Sequence, residues 1–110
     1  MPDSDRRLHE FVCLFNEEKF FEAHEVLEAL WREENGEARD FYQGLIQIAA
    51  AFVHYQKNNP AGYEALVESA SAYLQPYDDG YQSFPLKKLL EETRRCFRQK
   101  RSVPKIVYGK

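Results

Sequence analysis

His24 and Glu28 stand one helical turn apart in FFEAHEVLEALWR, residues 20–32, and are the side chains best placed to do chemistry in this sequence. A carboxylate beside an imidazole can fix its tautomer and let it act as a general acid or base. With a second imidazole the two groups make the two-His-one-carboxylate set that holds divalent metals. At about 100° per residue, His24 lies among Phe20, Leu27 and Trp31, with Glu28 about 40° away on the same face. A buried imidazole next to a buried carboxylate is costly unless the two satisfy each other or hold something. Glu22, Glu25 and Arg32 point elsewhere and read as solvated charges.

A second polar stripe runs through FYQGLIQIAAAFVH, residues 41–54. Gln43, Gln47 and His54 fall within about 40° of one line, with Gly44, Ala50 and Ala51 beside it. A hairpin turning at Gly36 and Glu37 sets Glu28 across from about residue 45 and His24 across from about residue 49. Glu28 is therefore expected to reach Gln43 or Gln47, and His24 to reach Gln47 or the gap at Ala50 and Ala51. His54 sits roughly one to one and a half turns beyond His24, near for a network and far for two ligands of one ion.

Three readings follow. The first is a buried hydrogen-bonded network in which Glu28 accepts from a glutamine amide and His24 donates to Glu28 or a carbonyl. The second is a small-ligand or catalytic pocket lined by His24, Glu28, Gln43, Gln47 and His54, with Trp31 as a further ligand-binding candidate. The third is a divalent metal on His24, Glu28 and His54. It ranks last, because H-E-x-x-E is not the H-E-x-x-H of zinc proteases and no Glu-x-x-His pair of di-iron bundles occurs.

The elements that must position these groups are helices throughout. The pattern predicts helices over about 4–16, 18–34, 37–58, 59–74 and 85–101. Asp3 or Ser4 is expected to cap the first, Asn35-Gly36 to end the second, and Asn59-Pro60 to open the fourth. YDDGYQSF is the one substantial loop, with Asp79-Gly80 as its turn. Short connections between long helices predict an all-α, single-domain antiparallel bundle of about five helices, with a core over 4–101 and a tail over 102–110. Ile106, Val107 and Tyr108 either dock that tail or leave it loose.

A chain of 110 residues holds one core, and its 44% hydrophobic and 30% charged residues are those of a globular protein. No apolar run approaches the roughly 18 residues of a membrane span. The N-terminus MPDSDRRL has no secretory h-region, so the cytoplasm is the expected location. Cys13 and Cys96 lack a C-x-x-C partner, and both are expected to be small buried hydrophobes.

Charge is uneven. Residues 1–86 carry 6 basic and 16 acidic side chains, whereas residues 87–110 carry 9 and 2. Lys87, Lys88, Arg94, Arg95, Arg98, Lys100, Arg101 and Lys105 thus form a basic helix and tail. Such a face is solvated, pairs with the acidic body of its own chain or of a homodimer, or meets an acidic protein partner. Nucleic acid is not expected, since no binding motif appears and aromatics do not interleave the basic residues.

From Asn16 to Trp31 the run N-x-x-x-F-F-E-A-H-E-V-L-E-A-L-W resembles a bacterial and archaeal family known as domain of unknown function 309. So do F-Y-Q-G-L-I-Q-I-A-A-A-F-V-H from Phe41 and N-N-P-A-G from Asn58. The resemblance implies a small all-helical bundle and brings no activity, substrate or cofactor. Its characteristic positions match His24, Glu25, Glu28, Trp31, Gln43, Gly44, Gln47 and His54, nearly the stripe drawn from helix geometry. The reading is a cytoplasmic interaction or small-ligand-binding module with a buried His/Glu/Gln network and no expected cofactor. The alternative is a hydrolase, with or without a divalent metal, that uses His24 and Glu28.

Overall fold

The computed structural model describes residues 3–99 and 103–108, with side chains over 6–96 and 103–108. Five helices follow one another: α1 (Asp3–Asn16), α2 (Phe20–Glu33), α3 (Arg39–Gln56), α4 (Pro60–Leu74) and α5 (Leu86–Gln99). One 3₁₀ turn, Tyr81–Ser83, interrupts the loop before α5. The expected all-α bundle is the architecture found, with no strand among the described residues. The predicted end of the last helix and the predicted cap at Asp3 or Ser4 lie outside the described residues or side chains.

The long apolar helix α3 is central, packed most heavily on α4 and next on α2, which in turn holds α1. Phe41, Leu45, Ile48 and Phe52 of α3 are all completely buried. Phe52 stacks on Phe20 at 5.2 Å and meets Phe15 edge-on at 5.6 Å, joining α1, α2 and α3. At the other end of α3, Phe41 gathers Tyr77, Tyr81 and Phe84 from the loop. Each such aromatic contact adds roughly 0.5–1.5 kcal/mol beyond the area it buries.

Gly44 sets the α3–α4 spacing. A Cβ there would stand 2.4 Å from Cγ of the buried Leu74, so only glycine lets the two helices come this close. Asn59 caps α4 as expected, its Oδ1 accepting from Gly62 N at 3.1 Å. Asp79 Oδ1 accepts from Lys87 N at 3.0 Å and caps α5 from within the loop.

Two expectations are corrected. Gly36 does not end α2 by turning left-handed: Glu34 is extended, and Arg39 supplies the cap by donating to the Trp31 and Glu34 carbonyls at 3.3 and 3.0 Å. The left-handed ends lie at Glu18 (φ 64°) and Asn58 (φ 58°). In each, two amides return to the last turn, Lys19 to Leu14 and Glu18 to Phe15 after α1, then Asn59 to His54 and Asn58 to Tyr55 after α3. Cys13 is exposed, whereas Cys96 is the buried hydrophobe expected of both. Burial pushes the Cys96 thiol up, against a hydrogen bond with Tyr55 that lowers it.

The tail is ordered over 103–108. The Asn16 side-chain amide pairs with the Ile106 backbone in both directions, at 2.7 and 2.8 Å, as a neighbouring strand would. Ile106 is buried and Tyr108 rests on His9 at 4.6 Å, while Val107 between them is 80% exposed. An extended segment turns alternate side chains to opposite sides, so Val107 cannot dock with the other two.

Candidate functional site

The two polar stripes run side by side, and neither lies in the core. Trp31 and Arg39 mark the same end of each stripe, and there the guanidinium sits 4.1 Å over the indole ring. The apolar side of α3 turns inward, so Gln43, Gln47, Ala50 and His54 on its opposite side are only half-buried. His24, Glu28 and Trp31 occupy the matching half-buried flank of α2. The result is a shallow polar groove on the back of the α2–α3 hairpin.

Within it, His24 Nε2 lies 3.9 Å from Glu28 Oε2, with side-chain exposures of 24% and 36%. That is ion-pair range and too long for a hydrogen bond, so Glu28 does not fix the imidazole tautomer. Glu28 also leans toward Arg32, with Oε1 3.6 Å from Nη2. Arg32, expected to be a lone solvated charge, is therefore a partner of this carboxylate. The expected bond from Glu28 to Gln43 or Gln47 is not made: the carboxylate stays on its own helix and at the rim, where water pays part of its solvation.

Deeper in the groove, His24 Nδ1 and Gln47 Oε1 are buried and have no hydrogen-bond partner among the described residues. One is an acceptor, the other a donor or acceptor according to tautomer. Phe21, 58% exposed, lies beside the imidazole at 5.7 Å between ring centres and extends an apolar lip from it.

His54 and Trp31 are used elsewhere. The Asn59 Oδ1 bond to Gly62 turns its amide nitrogen toward His54 Nδ1, 3.0 Å away, so His54 accepts there and buttresses the α3–α4 turn. Trp31 is covered by Arg39. Among the described residues no three His, Cys, Asp or Glu side chains form a group able to hold a metal ion, so His54 does not join His24 and Glu28. Arg39 and Arg32 were missed at the sequence level. Arg39 could have been suspected as the cation that opens the helix after the Gly36 turn, and Arg32 as the i,i+4 neighbour of Glu28.

On α5 the described basic side chains Lys87, Lys88, Arg94 and Arg95 are exposed. The contact with the acidic body comes from the tail, where Lys105 Nζ reaches Glu18 Oε2 at 3.7 Å and donates to the Asn16 carbonyl at 2.6 Å.

A five-helix domain with a half-open polar groove on one hairpin is the class of protein that fold and site define. The chain belongs to the family described as Domain of unknown function (DUF309), whose model matches residues 8–66 and so spans α1, α2, α3 and the start of α4. It is also similar to the "Uncharacterized protein YpuF" of Bacillus subtilis (strain 168), 37% identical over 57 residues. The match covers 51% of this chain and 33% of that protein, so the chain spans about a third of its relative. The function of the family is unknown, and membership assigns no reaction, substrate or partner.

Proposed function

We propose that this domain is a non-catalytic module of the cytoplasm that binds a small polar ligand in the α2–α3 groove. The ligand reaches His24 Nδ1 and Gln47 Oε1 by displacing the side chains that cover them, and Glu28 stands at the rim. One observation carries the reading: two buried polar atoms, one on each helix, lack a protein partner. Each such atom costs roughly 1–3 kcal/mol when left unsatisfied. The ligand offers a hydrogen-bond donor to Gln47 Oε1 and an ammonium, hydroxyl or amide edge near Glu28. The hydrolase alternative needs Glu28 to orient the imidazole, and their 3.9 Å separation does not support it. The cytoplasmic assignment rests on two free thiols, one of them exposed. No helix among the described residues is long and apolar enough to cross a membrane.

The test is the thermal stability of Gln47→Leu and His24→Ala. A ligand-binding groove predicts melting temperatures unchanged or raised, because each change removes an unsatisfied polar group. A loss of about 1–3 kcal/mol in both would place the atoms in a structural hydrogen-bonded network and overturn the proposal. No cofactor belongs to this reading. Mass spectrometry of protein purified without chelator checks that point, and a near-stoichiometric metal lost in His24→Ala would replace the proposal with a metal centre.

A further inference from the structure

Among the described residues, a further cleft of about 540 Å³ is lined by α4 and by Arg94 of α5. It exists because these two helices touch only slightly, whereas α3 and α4 pack closely. Tyr63, buried under the cleft, donates its hydroxyl to the Thr93 carbonyl and pins the two helices at that separation. The volume is within the roughly 300–1,000 Å³ of small-molecule sites.

Charge in the cleft is laid out in order. At one end the Arg94 guanidinium donates to Ser71 Oγ at 2.9 Å, and no described carboxylate neutralises it. Its remaining donors form a fork suited to a carboxylate, with Ser71 alongside. Along α4, Glu68 precedes Ser71 by three residues and Glu64 precedes Glu68 by four, all lining the cleft. At 1.5 Å per residue their levels are about 4.5 Å and then about 6 Å apart. Ala65 stands between the two glutamates and Ala61 lies beyond Glu64, and both leave room for methylenes. Neither glutamate has an ion-pair partner among the described residues.

The order along the cleft is therefore cation, anion, small apolar floor, anion. We infer that it binds a free basic α-amino acid of the lysine or ornithine type. The ligand carboxylate lies on Arg94 and Ser71, its α-ammonium meets Glu68, and the side chain runs over Ala65 to put its terminal ammonium on Glu64. A neutral amino acid satisfies only the first two charges, and a diamine lacks the group that Arg94 requires. This site is separate from the α2–α3 groove and stands or falls without it.

Isothermal titration calorimetry of the full chain with L-lysine tests the inference. Lysine gives a saturable heat. Norleucine, without the side-chain ammonium, and N-acetyl-lysine, without the α-ammonium, each bind about tenfold more weakly, the equivalent of one charge-assisted hydrogen bond. Arg94→Gln abolishes binding, and Glu64→Gln removes the advantage of lysine over norleucine while leaving norleucine affinity unchanged. Both substituted side chains are exposed, so circular dichroism of the variants matches the parent. Absence of saturable heat at about 10 mM lysine overturns the inference, as does undiminished binding to Arg94→Gln. Equal affinity for lysine and N-acetyl-lysine removes the α-ammonium from the assignment and overturns the free amino acid as ligand.

Discussion

Where α3 meets α4, Gly44 admits Leu74 and His54 meets Asn59. Where it borders α2, Gln47 and His24 of that helix end in buried polar atoms with no partner among the described residues. One helix thus borders a seam closed to the last ångström and a flank whose buried polar atoms stay unpaired among the described residues. Both sides carry residues of the polar stripe, and the difference is in what those residues face. Toward α4 they meet other parts of the chain, so their types are explained by packing. Toward α2, Gln47 Oε1 and His24 Nδ1 are covered but find no hydrogen-bond partner among the described residues.

The comparison breaks hardest at Gly44. Gly44→Ala drives a methyl into Leu74 and is expected to cost about 1–3 kcal/mol, despite a helix-propensity gain of about 1 kcal/mol. Denaturant unfolding measures the loss, and pairing the change with Leu74→Ala recovers part of it. A neutral Gly44→Ala would show that the seam is not closed.

Alkaline pH strains the same half of the molecule. Burial, with lesser contributions from Cys96 and Tyr55, holds the Tyr63 phenol well above its usual value of 10.0. Its stabilising effect is whole below that unfolded value and is lost as pH rises toward the folded one, because only the unfolded chain releases the proton. Stability is expected to fall by about 1 kcal/mol between pH 10 and 11 from this group. Tyr63→Phe flattens that slope, and unfolding followed at both pH values reads it.

Asn59→Ala removes the α4 cap and the donor to His54, with an expected loss of about 1 kcal/mol. The smallest effect is assigned to the other side. Gln47→Leu leaves the melting temperature unchanged or raises it, since no bond is lost and an orphaned oxygen is removed. If it cost as much as Asn59→Ala, the two sides of α3 would be alike and the groove merely structural.

Elements whose cause is local were legible in the residues. Asn59-Pro60 marks the start of α4 because cap and ring act within one turn, and the apolar spacing of α3 identifies it as central. The ends of α1 and α2 were not legible. Glu18 adopts a left-handed conformation that its type disfavours, and the carbonyls at the end of α2 are answered by Arg39 rather than by Gly36. The polar stripe was legible as a set but misplaced in depth: periodicity shows which residues share a face, not whether that face looks inward. Glu28 illustrates the error, paired with Arg32 at the rim rather than with Gln47. Asn16, read only as the end of the first helix, gave no hint that its amide would seat a segment 90 residues away.

That clasp makes the domain a closed ring in space. Asn16 holds Ile106, His9 holds Tyr108, and Phe84 holds Tyr108 from within the core. A single backbone cut in the exposed stretch at Asp78–Gly80 would therefore not release either part, since each remains gripped at its far end and along its buried face. Two polypeptides divided there, made separately, should find each other and reassemble.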